Sequence, residues 1–250
     1  DEEEFAIAPE QREKRFELGK NLCHTTKESI SSEFRIEVES LVCEGEPPDV
    51  IADIAMEKKA DLVAMGTYGR KGLKRLVMGS VTSKVIVSAP CDVIVVKKPC
   101  SECTGEYKSI LVPFDGSDFS KMSLGRACGV AKAYNAEMTV LYVIPRYEEM
   151  VEFFKSDTIK NRLFEESGKI MDAANRIAAQ YKTPITTTIQ DGHSADKIIE
   201  IANTLKNDLI IMGSHGWRGF DKAVMGSTTE RVIMNASCPI LIVKQMEDKE

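Results

Sequence analysis

Hydrophobic and polar positions fall into blocks whose period switches between that of a strand and that of a helix. Ser109–Pro113, Met138–Ile144, Ile185–Gln190, Asp208–Met212 and Pro239–Val243 are short apolar or alternating runs, most of them closed by Pro, Asp or Gly. These runs predict strands. Met122–Asn135, Thr158–Gln180, Ala195–Leu205 and Thr228–Asn235 carry apolar residues at helical spacing and predict helices. Strands alternating with helices imply an α/β fold, with a parallel sheet covered on both faces and right-handed crossovers. Upstream, the pattern predicts a helix over Pro9–Ser32 and a strand over Arg35–Val42.

The pattern is also written twice. Asp61–Lys97 aligns without a gap on Asp208–Lys244, at a constant offset of 147 residues with nearly half the positions identical. Gly45 falls on Gly192 and Asp49 on Asp196 at the same offset. A duplicated domain follows, with residues 1–98 as the first copy, 99–106 as a linker and 107–246 as the second copy. The counterparts of Ser109–Pro113 and Met138–Ile144 fall before residue 1, so the first copy lacks its two opening strands. The repeat leads to an expectation of about 40 further N-terminal residues to complete a domain.

Composition narrows the class. A net charge of −6 and a pI near 5.4 argue against a nucleic-acid binder, which usually carries a basic face. No run approaches the roughly 18 apolar residues of a membrane span, and the expectation is a cytoplasmic protein. The seven cysteines show no disulfide framework. Cys91 and Cys238 precede apolar runs and read as small buried hydrophobes. Cys100 and Cys103 form a lone CxxC without the two further ligands that zinc requires.

The strongest chemical signal is Gly213-x-x-Gly216 followed by Gly226-Ser227, placed after an apolar strand and before a helix. Glycines let backbone amides approach an anion, and a helix N-terminus favours negative charge. Ser227 reads as the N-cap, with Glu230 completing a capping box, and Thr228 and Thr229 add hydroxyls. Gly66, Gly69, Gly79 and Ser80 repeat the arrangement in the first copy, with Arg70, Lys71, Lys74 and Arg75 nearby. Tight turns alone could also account for these glycines. Asp115-Gly116-Ser117 after the first strand is a turn former or a ligand contact across the crevice.

Strand–Asp-Gly-Ser, then strand–GxxG–nine residues–GS–helix, resembles the nucleotide-binding class of universal stress proteins over essentially the whole chain. The resemblance implies two doubly wound five-stranded parallel-sheet domains of strand order 3-2-1-4-5, with ATP (or AMP or ADP) at the strand carboxyl ends. It implies Asp115 near the adenosine and ribose, Pro113 and Phe114 along the same edge, and the backbone of Val143 against adenine. Met212, Gly213, His215 and Gly216 would lie under the ribose and phosphates. Gly226, Ser227, Thr228 and Thr229 would form the phosphate cradle, with Arg218 reaching a phosphate and Mg2+ a companion ion at Asp115. Val93–Val96 and Ile240–Val243 would be edge strands that pair within one chain or build a homodimer. Neither a Walker lysine nor a GxSxG elbow is present, so binding is expected rather than catalysis. The competing readings are a nucleotide-free interaction scaffold, an ATP-pyrophosphatase-type enzyme and the cytoplasmic regulatory part of a transporter.

Overall fold

A computed structural model describes residues 9–67, 78–97, 106–145, 157–216 and 225–244. In chain order they form α1 (Pro9–Phe34), α2 (Pro47–Glu57), β1 (Leu62–Gly66), α3 (Ser80–Ser88) and β2 (Asp92–Val96). There follow β3 (Ser109–Pro113), α4 (Asp118–Tyr134), β4 (Glu137–Pro145), α5 (Asp157–Gln180) and β5 (Thr186–Gly192). The chain ends with α6 (Ser194–Thr204), β6 (Leu209–Gly213), α7 (Ser227–Asn235) and β7 (Ile240–Val243). The duplication is visible in the backbone itself. Gly45 and Gly192 share φ values of 138° and 142°, and Lys59 and Lys206 share 50° and 53°. Each pair is related by the repeat offset, and each sits where a left-handed or extended positive-φ turn is needed.

The chain divides into two units, Asp1–Val50 and Ile51–Glu250. In the first, α1 lies against the extended segment that follows it. A Cβ on Gly19 would stand 3.1 Å from Val42 Cγ1, and the Cys23 thiol is 3.6 Å from the Leu41 carbonyl oxygen. Arg12 and Glu44 pair on the surface. The strand expected over Arg35–Val42 does not form. Its repeat counterpart β5 draws its sheet partners from β4, and among the described residues nothing pairs with Arg35–Val42 in the same way. Backbone without a neighbouring strand has no ladder to join.

The second unit is built on one seven-stranded sheet of order β1-β2-β7-β6-β3-β4-β5. All neighbours are parallel except β2 and β7, which run antiparallel with Val93 opposite Ile242 and Val95 opposite Ile240. Within the second half, β5-β4-β3-β6-β7 is strand order 3-2-1-4-5 in that half's own count. The first half supplies β1 and β2 among the described residues. The two sheets expected from the sequence are therefore one. Apolar, uncharged edges invite pairing, and β2 and β7 satisfy each other inside a single chain. Of the two pairings expected for these strands, the one within a single chain is what the sheet contains.

Side chains alternate across the sheet, and both faces are covered. Leu111, Leu141, Ile210, Met212, Ile240 and Ile242 meet α3, α6 and α7 through Val85, Ile86, Ile198, Val232 and Ile233. Ile110, Val112, Val140, Leu209, Ile211 and Val243 meet α4 and α5 through Leu124, Ala127, Cys128, Met171 and Ala174. Cys91 and Cys238 are buried, as read from the sequence, and Cys100 and Cys103 lie outside the described residues. The halves are also tied by charge. Lys244 Nζ donates to the carbonyls of Ile86 (2.8 Å) and Val87 (2.7 Å) in the last turn of α3, where a cation complements the helix dipole. Buried Asp92 accepts from the Lys244 amide at 3.0 Å and pairs with Arg126 Nε at 2.6 Å. No described helix is long and apolar enough to cross a membrane.

Candidate functional site

The neighbours β3 and β6 run parallel, yet the helices that follow them pack on opposite faces, α4 on one and α7 on the other. Their loops must diverge, which opens a crevice at the strand carboxyl ends. Pro113 ends β3. Phe114 is buried, and its amide donates to the Leu141 carbonyl at 2.8 Å, which carries the chain past β4. Asp115 then leads into Gly116, whose φ of +81° permits the turn. Asp115 Oδ1 accepts from the Ser117 amide (3.0 Å) and hydroxyl (2.5 Å). The Ser117 hydroxyl in turn caps α4 by accepting from the Ser120 amide at 3.3 Å. The carboxylate is thus pinned by the cap of the helix it precedes.

Across the crevice the glycine loop is built to close dimensions. The second carboxylate oxygen of Asp115 would lie 2.7 Å from a Cβ on Gly216. The first-strand aspartate and the loop therefore face each other directly, and only glycine leaves the gap open. A Cβ on Gly213 would meet Phe119 Cβ at 2.8 Å and the His215 carbonyl oxygen at 3.1 Å. Ser214 and His215 are buried. The Ser214 hydroxyl and His215 Nδ1 are hydrogen-bonded at 3.0 Å, and the imidazole rests against Phe119 with ring centroids 5.3 Å apart. Met212 is buried in the core beneath the loop. Val143 is buried near the end of β4, opposite Gln190 of β5, which places it on the far side of β3 from the loop.

The start of α7 differs in detail from the sequence expectation. Its N-cap is Gly226, with no side-chain cap, so the Ser227–Glu230 capping box is corrected. The Gly226 amide donates to the Ser214 carbonyl at 3.1 Å and closes the loop, which removes it from the set of free donors. The buried Thr229 hydroxyl donates to the Gly213 carbonyl at 3.1 Å. Thr229 is thus a fastener of the loop, and its hydroxyl is spent there. The first intrahelical bond comes from the Glu230 amide to the Gly226 carbonyl at 3.0 Å. The preceding amides of Ser227, Thr228 and Thr229 have no acceptor within the helix. They form the positive end of the helix dipole at the crevice.

The first half repeats the fasteners. Gly66 ends β1, Gly79 is the N-cap of α3 and Ser80 is its first residue. The Gly79 amide donates to the Thr67 carbonyl at 3.2 Å, and the Thr82 hydroxyl donates to the Gly66 carbonyl at 3.0 Å. Gly69, Arg70, Lys71, Lys74, Arg75 and Arg218 lie outside the described residues. Two contributors escaped the sequence reading: Phe119, which walls Gly213, and Ser214, which holds His215; Ser117 was read only as part of the Asp115-Gly116-Ser117 turn and not as the group that holds Asp115. Neither Phe119 nor Ser214 carried a signal in the sequence pattern. Mg2+ at Asp115 gains no support from neighbouring ligands, since no group of three or more His, Cys, Asp or Glu side chains gathers among the described residues.

Comparison with known proteins gives the family and the fold. A sequence model described as the universal stress protein family matches residues 2–97 and again 106–244. Universal stress protein MJ0531 of Methanocaldococcus jannaschii is 35% identical over 141 residues, covering 56% of this chain and 83% of its own. Universal stress protein Mb2028c of Mycobacterium bovis is 24% identical over 230 residues, covering 90% of this chain and 75% of its own. The crystal structure of a universal stress protein from Archaeoglobus fulgidus superposes with a TM-score of 0.71 at 20% identity, over 97% of this chain and 84% of that one.

Proposed function

Since the chain belongs to the universal stress protein family, with two family domains in tandem, we propose that its second half binds an adenine nucleotide (ATP, ADP or AMP) and acts as a regulatory module in the stress response. The observation that carries the reading is the approach of the Asp115 carboxylate to Gly216 across the crevice. Asp115 would accept hydrogen bonds from ribose hydroxyls, held in place by Ser117. Pro113, Phe114 and the backbone of Val143 would flank the base. The loop of Gly213, His215 and Gly216 would pass beneath the ribose and α-phosphate. The first-turn amides of α7, with the hydroxyls of Ser227 and Thr228, would take the phosphates. Glycine at 216 fits the reading because a Cβ there would press on the Asp115 carboxylate that the ribose would meet.

The reading is of binding rather than rapid turnover, because the sequence offers no Walker lysine to bridge the β- and γ-phosphates. It places the protein in the cytoplasm, a reducing compartment suited to the thiols of Cys23, Cys43, Cys91 and Cys128. A titration of the full chain with ATP, ADP and AMP, followed by calorimetry and thermal melting, tests the proposal. One equivalent bound at the second-half site and a rise in Tm that grows with ligand concentration are expected. Absence of heat and of any Tm change at saturating nucleotide would leave the interaction scaffold as the surviving reading.

A further inference from the structure

We propose that Asp92, in the first half, is a positioning residue for the ligand crevice of the second half, acting through Arg126 to hold α4. The ligand is the adenine nucleotide proposed above, so this role stands on that reading. The repeat sets the position apart. Cys91-Asp92 aligns on Cys238-Pro239 at the offset of 147 residues, so a carboxylate stands in one copy where the other has proline. Asp92 is 4% exposed. A buried carboxylate is costly unless it is paired, and both Arg126 Nε (2.6 Å) and the Lys244 amide (3.0 Å) reach this one.

Topology brings this carboxylate to the crevice end of the second half. β2 runs antiparallel to β7, with Val93 opposite Ile242, so the beginning of β2 lies beside the end of β7. That end is level with the glycine loop, because Val243 stands opposite Gly213. On α4, Arg126 lies nine residues after the Ser117 cap, about 13 Å along the helix at the usual rise per residue. The cap and first turn of the same helix carry two parts of the crevice. Ser117 pins Asp115, and the Phe119 Cβ would stand 2.8 Å from a Cβ on Gly213. A slide or turn of α4 that displaces both must stretch the charge-assisted bond at Arg126. Asp92 thus acts at a distance, by fixing the wall that meets the ligand.

Arg126→Met and Asp92→Asn each break the pair in the full chain, and each should raise the Kd for ATP at least fivefold in calorimetric titration. Without ligand, each should also speed hydrogen exchange at least tenfold at the Ser120 amide, which donates to the Ser117 hydroxyl. Arg126→Lys keeps the cation and should stay within threefold of wild type on both counts. The double variant should bind no more weakly than the weaker single one, since both changes remove one interaction. Ile198→Val, a buried change among the residues packed on the opposite face of the sheet from α4, lowers stability without touching this pair and should leave both quantities unmoved. Should Asp92→Asn not fold, Arg126→Met, on the half-exposed side of the pair, decides alone. Wild-type affinity or unchanged Ser120 exchange in Arg126→Met would overturn the proposal, as would an equal loss of affinity in Ile198→Val. A wild-type chain that binds no nucleotide would refute the nucleotide reading instead, and Ser120 exchange would then decide by itself whether Asp92 holds α4.

Discussion

Replacing Gly216 with alanine tests the crevice at its narrowest point. The new Cβ would stand 2.7 Å from Asp115 Oδ2, well inside carbon–oxygen contact. The backbone at Gly216 has little reason to yield, because the loop beside it is fastened by the Gly226 amide on Ser214 and the Thr229 hydroxyl on Gly213. The carboxylate must turn instead, and turning breaks the two bonds that Asp115 Oδ1 accepts from Ser117. Hydrogen bonds to a charged group contribute about 1.5–3 kcal/mol each. Asp115 is half-buried, and water recovers part of the loss, so the expected destabilisation is about 1–2 kcal/mol. Nucleotide binding suffers separately, because the displaced carboxylate no longer faces the loop. A loss of about 1.4–2.8 kcal/mol is expected, a tenfold to hundredfold rise in Kd. Urea denaturation gives the first quantity and calorimetric titration with ATP the second. Wild-type affinity in a folded Gly216→Ala protein would refute the assignment of Asp115 and Gly216 to opposite walls of one ligand site.

Three further outcomes are expected. Thr229→Val deletes the buried hydroxyl that donates to the Gly213 carbonyl, leaving that acceptor unpaired at a cost of about 1–3 kcal/mol; a urea midpoint unmoved from wild type would show that the loop does not depend on this fastener. Gly129→Ala, in the exposed face of α4 where an added Cβ meets nothing within 4 Å, should stabilise by about 0.5–1 kcal/mol and leave nucleotide affinity unchanged, so that a loss of affinity there would indict general destabilisation in the Gly216 result. Burial holds the Lys97 amine down to about 8, below its unfolded value, so between about pH 8 and the unfolded value near 10.5 the unfolded chain binds more protons and stability rises with pH. Lys97→Met should accordingly stabilise below pH 8 by about 1 kcal/mol, the desolvation cost being reduced by solvent at the half-buried amine, and the gain should fade as pH approaches 10; a gain that is flat across this range would contradict the burial of the charge.

What could be read from the sequence follows from how local each signal is. The strands of the second half were legible because each is a short apolar run between turn residues, and β4 and β5 differ from expectation only at their ends. The start of α4 was less legible. Its apolar period begins at Met122, but Ser117 caps the helix five residues earlier, within a stretch where Asp118 and Lys121 hide the pattern. At α7 the reverse holds. Ser227, Thr228 and Thr229 are all good caps by type, and the choice of Gly226 is made by a tertiary bond from its amide to Ser214.

Two features were beyond local reading for a different reason. Pairing of β2 with β7 depends on which edges remain open after each half has folded, and the sequence shows only that both edges are apolar. The fate of Arg35–Val42 is the mirror case, since its alternation is that of a strand but a strand is defined by its neighbour. The site divides along the same line. Glycine spacing announced an anion loop, because the need for close backbone approach is written in the residue type. The facing of Asp115 and the loop came only from the family resemblance and not from local pattern, since it requires β3 and β6 to be adjacent and their helices to leave on opposite faces. A different tertiary contact, between α7 and the end of β6, engages the hydroxyl of Thr229, read as a phosphate ligand, as a fastener. A hydroxyl in the first turn of a helix can face either the ligand or the preceding strand, and at Thr229 the buried Gly213 carbonyl decides it.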